Sequence, residues 1–411
     1  MIEKIRINRD RLWGRIMDMA EIGATELGGS CRLALTEEDK KGRDLFIQWC
    51  REAGCRVVID EMGNIFAMRE GTNPERLPIA SGSHLDTQPH GGKFDGVYGV
   101  MAALEVIETL NDHGVSTQAP LVVAAWTNEE GARFAPPMVA SGVYAGSYDL
   151  EYGLSRKDAQ GVTLGEALKS IGYSGDLPCG HNRFGAFLEA HIEQGPVLEK
   201  NNKTIGVVTG VQGTRWYRAW LHGQDAHTGS TPMPGRRDAL IAAARVIVAV
   251  QEMALRHAPD AVATVGYINN DPNAHNTISG KVELAVDVRH PDARIQDAME
   301  EELQSALAQA GDREGVECEL VRIVDTPPIE FDDSCIKVVE SSARELGHDY
   351  QRITSGAGHD ACHVSRVAPT SMIFVPCEGG LSHNEKESAD IDDLAAGADV
   401  LLKAILRLSG K

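Results

Sequence analysis

Short apolar runs that end in histidine or in paired acids constrain this chain more than any other feature. Leu77-Pro78-Ile79-Ala80 leads into Ser81-Gly82-Ser83-His84-Leu85-Asp86-Thr87. Leu121-Val122-Val123-Ala124-Ala125-Trp126 leads into Thr127-Asn128-Glu129-Glu130-Gly131. Phe187-Leu188 precedes His191, and Met372-Ile373-Phe374-Val375 precedes the loop Gly379-Gly380-Leu381-Ser382-His383. Runs of this length bounded by turn residues read as buried strands. Between the first two, Met101, Leu104, Val106, Ile107 and Leu110 recur at helical spacing over Gly99 to Asn111. Strands alternating with helices, with chemistry-bearing residues at the strand C-terminal ends, predict an α/β fold: an open sheet with its site along that edge.

The residue types at those ends suit a metal centre. Side chains alternate along a strand, so His84 and Asp86 are expected to face the same way. One ring nitrogen is then available to a metal while the carboxylate orients the other. Asp95 lies in the glycine-rich turn Gly91-Gly92-Lys93-Phe94-Asp95-Gly96, where its carboxylate can bridge two ions. Adjacent carboxylates at the end of a buried strand are costly unless a positive charge neutralises them. As neighbours, Glu129 and Glu130 diverge, so one can bind metal while the other faces substrate. Activating a water needs both a cation to lower its pKa and a base to take its proton. His191 and His383 complete the set. Histidine and carboxylate donors without cysteine suit zinc, manganese, cobalt or nickel, and two ions sharing a carboxylate sit roughly 3.5–4 Å apart. Each motif alone also reads as something plainer: a capped turn at His84, or a solvated helix start at Glu129-Glu130.

Composition narrows the function. With 411 residues, two domains are expected. A net charge of -20 argues against nucleic acid or an anionic membrane as partner. The segment Met1-Ile2-Glu3-Lys4-Ile5-Arg6 lacks an apolar signal core and no run is long enough to span a bilayer, which predicts a cytoplasmic protein. The eight scattered cysteines then read as free thiols. Nothing near Cys179 would activate it as a nucleophile, and Ser81 and Ser83 lack a nucleophile-elbow context.

Along the chain, residues 8–27 predict a helix, Thr36 a cap for the next, and Met62-Gly63 the turn of a hairpin. Arg32-Leu33 reads equally as a connector or as part of a loop over the site. Residues 144–181 read as helical. From Ile205 the pattern changes. Strands at 205–211, 215–221, 261–267, 282–289 and 318–324 are interleaved with helices from Pro234 to about His257 and from Ala293 to Ala310. Strand, helix, strand, strand, helix, strand predicts a small α/β sandwich. The expected organisation is a catalytic domain, residues 1–212 and 327–411, interrupted by an inserted domain, residues 213–326.

Taken in order, Gly82-Ser83-His84-Leu85-Asp86-Thr87, Gly92-Lys93-Phe94-Asp95-Gly96, Asn128-Glu129-Glu130-Gly131, His191-Ile192-Glu193-Gln194-Gly195, His227-Thr228-Gly229-Ser230-Thr231-Pro232-Met233 and Ser382-His383-Asn384 resemble the amidohydrolase branch of the aminoacylase/carboxypeptidase metallohydrolase superfamily. That branch includes N-carbamoyl-L-amino acid hydrolases, beta-ureidopropionases and allantoate amidohydrolases. The resemblance implies an open mixed sheet carrying two divalent metal ions per subunit, zinc foremost. By it, His84, Asp95, Glu130, His191 and His383 are the ligands, with Asp95 bridging. Glu129 is the general base, and Asp86 belongs to the catalytic set. The inserted domain is implied to be a lid and the contact of a homodimer, with His227 reaching into the partner's site as an oxyanion donor. Arg289 is implied to hold the substrate carboxylate, and Asn276 the carboxylate or carbonyl, although spacing alone also allows Arg289 a salt bridge to Asp287. Gln194 is implied at the carbamoyl or ureido group, and Gly358 and His359 beside the substrate. Thr228 stands where Ala is frequent and Ser230 where Thr is frequent, which would reshape the pocket rim only. The expected reaction is hydrolysis of the carbamoyl C–N bond of an N-carbamoyl-L-amino acid. Allantoate or a beta-ureido acid is the alternative substrate. A catalytically inactive binding module is the alternative of another class; it would have lost a ligand or the base, and every such position is filled.

Overall fold

A computed structural model describes residues 4–181 and 183–410; Met1, Ile2 and Glu3 of the N-terminal segment lie outside the described residues. The chain forms two compact units. One runs to Thr209 and resumes at Phe331; the other is Gly210–Glu330.

The strands, in chain order, are β1 (Arg56–Ile59), β2 (Ile65–Arg69), β3 (Ile79–His84), β4 (Leu121–Trp126), β5 (Ala186–Ile192), β6 (Ile205–Val211), β7 (Gly213–His222), β8 (Ala226–His227), β9 (Val262–Asp271), β10 (Thr277–Ile278), β11 (Lys281–His290), β12 (Glu317–Thr326), β13 (Ile329–Glu330), β14 (Tyr350–Ser355) and β15 (Thr370–Val375). The large sheet has the order β1-β2-β4-β3-β5-β15-β6-β13, with β14 beside β6. Its centre, β4-β3-β5-β15, is parallel, and antiparallel pairs flank it. It is thus the mixed α/β sheet that the sequence predicts. Every residue of those four strands is buried. Continuous apolar runs of this kind belong to strands covered on both faces. The helix Val97–Asp112 packs on β3 and β5, and Ile391–Ser409 packs against that helix and β15. Gly82 is required where β3 meets β4, because a Cβ there would collide with the Ala124 carbonyl oxygen.

Helix ends follow local chemistry. Thr36 caps Glu37–Glu52 by accepting from the Asp39 N–H, as its position predicts. The first helix, Arg9–Ala20, is shorter than the apolar spacing suggests. The expected long helical stretch over 144–181 is not one. It contains Leu150–Leu154 and Leu164–Ile171, after a helix Val139–Tyr144. Gly146 and Gly161 adopt φ of +72° and +85° there, and Asp158 accepts from the N–H groups of Gln160 and Val162 in a tight turn. Both features break helical continuity.

In the second unit, an antiparallel sheet β12-β7-β11-β9 packs against the helices Ala239–Arg256 and Ala293–Glu314. Tyr217, Leu221, Val246, Val286 and Leu303 lie in its core. β8 and β10 form a separate two-stranded ladder in which His227 pairs with Thr277. The chain leaves along β6 and returns through β13, with Val211 paired to Ile329 and Gly210 to Glu330.

Candidate active site

The C-terminal edge of the parallel strands collects the residues that the sequence singles out. His84 ends β3 level with Trp126 of β4, and His191 on β5 is level with Phe374 of β15. Asp95 lies in the turn before Val97–Asp112. Gly96, at φ +67°, has no room for a Cβ because the His84 ring occupies that space. Glu129 and Glu130 follow β4, and His383 follows β15. All converge on Asp95. Its Oδ1 is 3.4 Å from His84 Nε2 and 3.2 Å from His191 Nε2. Its Oδ2 is 3.3 Å from His383 Nε2, which in turn is 3.2 Å from Glu130 Oε2. Glu129 Oε2 lies 3.5 Å from His84 Nε2.

This donor set fits divalent cations. His84 Nδ1 is 2.9 Å from the Asp86 carbonyl, and His191 Nδ1 is 2.9 Å from the Ile192 carbonyl. A carbonyl only accepts, so each Nδ1 carries a proton, and with Nε2 unprotonated each ring turns a lone pair towards Asp95. The Gly96 N–H, 3.1 Å away, donates to the lone pair of His191. Lone pairs facing a carboxylate repel unless a cation, or a proton, lies between them. Donor atoms of His84, Asp95 and His191 lie within 4.8 Å of one another, as do those of Asp95, Glu130 and His383. Asp95 belongs to both groups. Protons are the competing cations: burial opposes protonation of His84, but Glu129, Asp95 and Asp86 raise its pKa well above the ordinary range. Hydrogen bonds with Asp95 and then Glu130 push His383 up to about 10. Burial likewise pushes the Glu129 carboxyl well up, helped by neighbouring carboxylates and opposed by His84.

Asp86 does not orient His84 as strand alternation suggests. Its carboxylate Oδ1 is 4.0 Å from Nδ1, and its main-chain carbonyl holds the ring instead. The reason is that β3 ends at His84, so the alternation no longer applies two residues on. The carboxylate accepts from the main-chain N–H groups of Glu129 and Glu130, both at 3.2 Å. It thereby fixes the loop bearing Glu129 and Glu130.

Three further residues escaped the sequence reading. Gln88 Nε2 donates to Glu130 Oε2 at 2.7 Å. Glu387, buried, accepts from the N–H groups of Phe94 and Asp95 with one oxygen and from Ser382 Oγ with the other. Gly92 makes room for it, since a Cβ there would strike the Glu387 carboxylate. Glu189 joins Ser83 Oγ to the Ala361 N–H. A carboxylate inside the apolar run of β5 is a readable signal for Glu189; Glu387 and Gln88 sit in polar loops and offer none.

The residues expected at the substrate fall into two groups. In the first unit, Gln194, at φ +56°, donates to Asp95 Oδ2 at 2.8 Å and to Ser382 Oγ at 3.1 Å. The His359 ring lies 4.5 Å from that of His191 between centroids, and its Nε2 is 3.2 Å from Ser355 Oγ. Burial, then the neighbouring His191, hold His359 well below the ordinary histidine range, so it is neutral. Gly358 is exposed beside Met138. In the second unit, His227 is exposed and its Nδ1 accepts from the N–H groups of Gly229 and Ser230. That leaves Nε2–H as a donor. Asn276 is its neighbour, its carbonyl accepting from the Thr228 N–H. Arg289 stands on β11 and donates to the Asp287 carboxylate at 2.9–3.2 Å, the pairing that its spacing allows.

Known proteins share this organisation. The profile of peptidase family M20/M25/M40 matches residues 80–407. A Rhizobium meliloti protein named N-carbamoyl-L-amino-acid amidohydrolase is 49% identical over 404 residues, covering 98% of this chain and 97% of its own. The crystal structure of a Burkholderia multivorans amidase of the hydantoinase/carbamoylase family aligns with a TM-score of 0.96 at 52% identity, over 99% of both chains. A ureidoglycolate hydrolase of Oryza sativa subsp. japonica is 34% identical, covering 98% of this chain and 85% of its own. This chain belongs to peptidase family M20/M25/M40, a metal-dependent family, and is a hydrolase of carbon–nitrogen bonds other than peptide bonds.

Proposed function

We propose that this enzyme hydrolyses the carbamoyl C–N bond of N-carbamoyl-L-amino acids. The observation that carries this reading is the division of donors by Asp95: one oxygen faces His84 and His191, the other His383 and Glu130, with Glu129 alongside. These five side chains are the ligands of two divalent cations, zinc foremost, with manganese, cobalt or nickel as alternatives of the same donor class. Bound there, the pair supplies electrophilic polarisation of the substrate carbonyl and a lower pKa for the water it holds.

The chain's own residues do the rest. Glu129 takes a proton as the water oxygen adds to the carbamoyl carbon, then returns it to the nitrogen that leaves. The remaining carbamate falls apart, so the products are the amino acid, carbon dioxide and ammonia. Asp86 keeps Glu129 in place through its main-chain N–H. Gln194 and His359 contact the ureido group, with Gly358 beside it. Arg289 exchanges Asp287 for the substrate carboxylate, assisted by Asn276, and a bidentate grip suits a guanidinium. His227 Nε2–H stabilises the oxyanion, and in our reading it does so in the site of a second copy. Support for a homodimer comes from exposed apolar residues of the inserted unit: Val262, Tyr267 and Ile268 on β9, and Ile241, Val248 and Leu255 on Ala239–Arg256. The inserted unit, 213–326, then serves as lid and contact. The free cysteines support a reducing, cytoplasmic setting.

A second reading stays within the ureido class. The likeness to a ureidoglycolate hydrolase favours another ureido carboxylate, such as allantoate or a beta-ureido acid. Ammonia release from N-carbamoyl-L-methionine, N-carbamoyl-beta-alanine and allantoate, with and without a chelator, decides between them. The first substrate is expected to dominate and the chelator to abolish its turnover; a preference for either of the others replaces the proposal. Glu129→Gln is expected to retain cations and lose about 10²–10⁴-fold in kcat; near-normal turnover would remove Glu129 as base.

A further inference from the structure

Arg32 is among the largest fully buried side chains, 1% exposed. Its guanidinium forms no ion pair among the described residues. It donates to uncharged acceptors: the carbonyls of Leu85 (2.8 Å), Met19 (3.1 Å) and Ile22 (2.7 Å), and Ser30 Oγ (3.2 Å). Burial lowers its pKa to about 10, which still leaves it charged at neutral pH. A buried cation without a hydrogen-bonded counter-charge is expensive and calls for an explanation.

The neighbours of Arg32 supply one. Its main chain pairs with Thr87 in both directions: its N–H donates to Thr87 Oγ1 at 2.7 Å, and its carbonyl accepts from the Thr87 N–H at 3.0 Å. Side chain and main chain together grip residues 85–87, the segment immediately after His84. Asp86 lies inside that grip; its carbonyl holds the His84 ring and its carboxylate holds the Glu129 and Glu130 amides. The same stretch of chain reaches the second loop. Arg43, buried and paired with Asp39, donates to Thr127 Oγ1 at 3.2 Å and to the Gly63 carbonyl at 2.8 Å. Arg133, beyond the glutamates, donates back to the carbonyls of Ala34 (3.0 Å) and Leu35 (2.7 Å). Residues 30–43 thus strap together the loop after β3 and the loop after β4. They precede the span matched by the family profile, which begins at residue 80.

We infer that Arg32 is a positioning residue of the metal centre, acting through Asp86 to set where His84 and the Glu129–Glu130 loop stand relative to each other. The inference rests on the di-metal reading above. The plainer alternative is that Arg32 only caps the C-terminal end of Arg9–Ala20 through Met19 and Ile22, which would affect stability alone.

Two variants separate these roles. Arg32→Lys keeps a charge but cannot reach all four acceptors; Thr87→Val removes one of the two main-chain bonds, the one from the Arg32 N–H to Thr87 Oγ1, and is mild enough to fold if the first is not. Each is titrated with zinc or manganese against a competing chelator, and melting temperature, kcat and KM are measured on the cation-loaded protein. Partners that orient ligands from outside typically account for about 10–100-fold in metal affinity. Arg32→Lys is expected to weaken cation binding by that order and to lower kcat with KM changed less than about twofold, with a smaller loss in the same direction for Thr87→Val. If melting temperature falls while cation affinity and kcat match the wild type, Arg32 is a helix cap and the inference is overturned. Should Arg32→Lys fail to fold, Thr87→Val decides alone, and unchanged affinity and kcat overturn the inference. If the wild-type protein itself takes up no cations, the di-metal reading fails first and this inference with it.

Discussion

The two halves of the candidate metal centre are built differently. His84 and His191 stand on central strands, 1% exposed, each ring locked by a main-chain carbonyl. Glu130 and His383 come from loops, and the His383 side chain is 50% exposed on left-handed backbone at φ +52°. Such backbone costs on the order of 1–3 kcal/mol in a non-glycine residue and persists only where surrounding structure over-determines it. Here that support comes from neighbouring loop contacts: Gln88 on Glu130, and Ser382 beside Glu387, Gln194 and Asp95. The inner half is preformed by the sheet, whereas the outer half is assembled from loops. It follows that the inner cation should bind more tightly and exchange more slowly.

Removing donors from each half tests this contrast most directly. His191→Ala is expected to abolish the inner cation and with it essentially all activity. His383→Ala is expected to leave one cation per chain, measured by metal analysis after dialysis. Loss of both cations from His383→Ala would show that the halves are not independent.

The next effect is on pH. In the cation-free protein His383 is raised to about 10 by Asp95 and Glu130, above the ordinary histidine value of about 6.5. A folded pKa raised in this way gives stability that is fully present below about 6.5 and is lost as pH rises through about 10. Cations displace that proton and bind better as pH rises. The gap in melting temperature between loaded and cation-free protein should therefore widen from pH 6 to pH 9. A constant gap would mean that His383 is not where proton and cation compete.

The smallest effect belongs to Gln88→Ala. It removes the donor to Glu130 and should loosen only the outer cation, by about tenfold or less, read as faster loss of one of two ions to a chelator. Equal loosening of both ions would count against separate support for the halves.

The inner half was also the more legible in the sequence. β3, β4 and β5 are apolar runs, and the histidines at or near their ends needed no tertiary knowledge to be placed. The order of elements in the inserted unit could be followed by periodicity for the same reason. Loop contributions were harder. The Asp86 carboxylate faces the Glu129 and Glu130 amides rather than the His84 ring because β3 stops two residues before it. Glu387 supports Asp95 across nearly three hundred positions of sequence, and no local pattern encodes a contact of that range. Residues 144–181 misled because their apolar spacing suits a helix while their glycines and an Asp158 turn prevent one from continuing. Arg32 left two options open in the sequence, and its four neutral acceptors became visible only once distant carbonyls were brought around it.

The way the chain enters and leaves the inserted unit has its own consequence. Val211 and Ile329 face each other across one rung of a ladder, as do Gly210 and Glu330. Ends that close can be joined by a two-residue hairpin turn. A trimmed chain lacking the excursion, or one carrying a foreign module there, would meet little geometric obstacle at the splice. The large sheet and the excursion can therefore be exchanged as separate cassettes, leaving the donors around Asp95 in place.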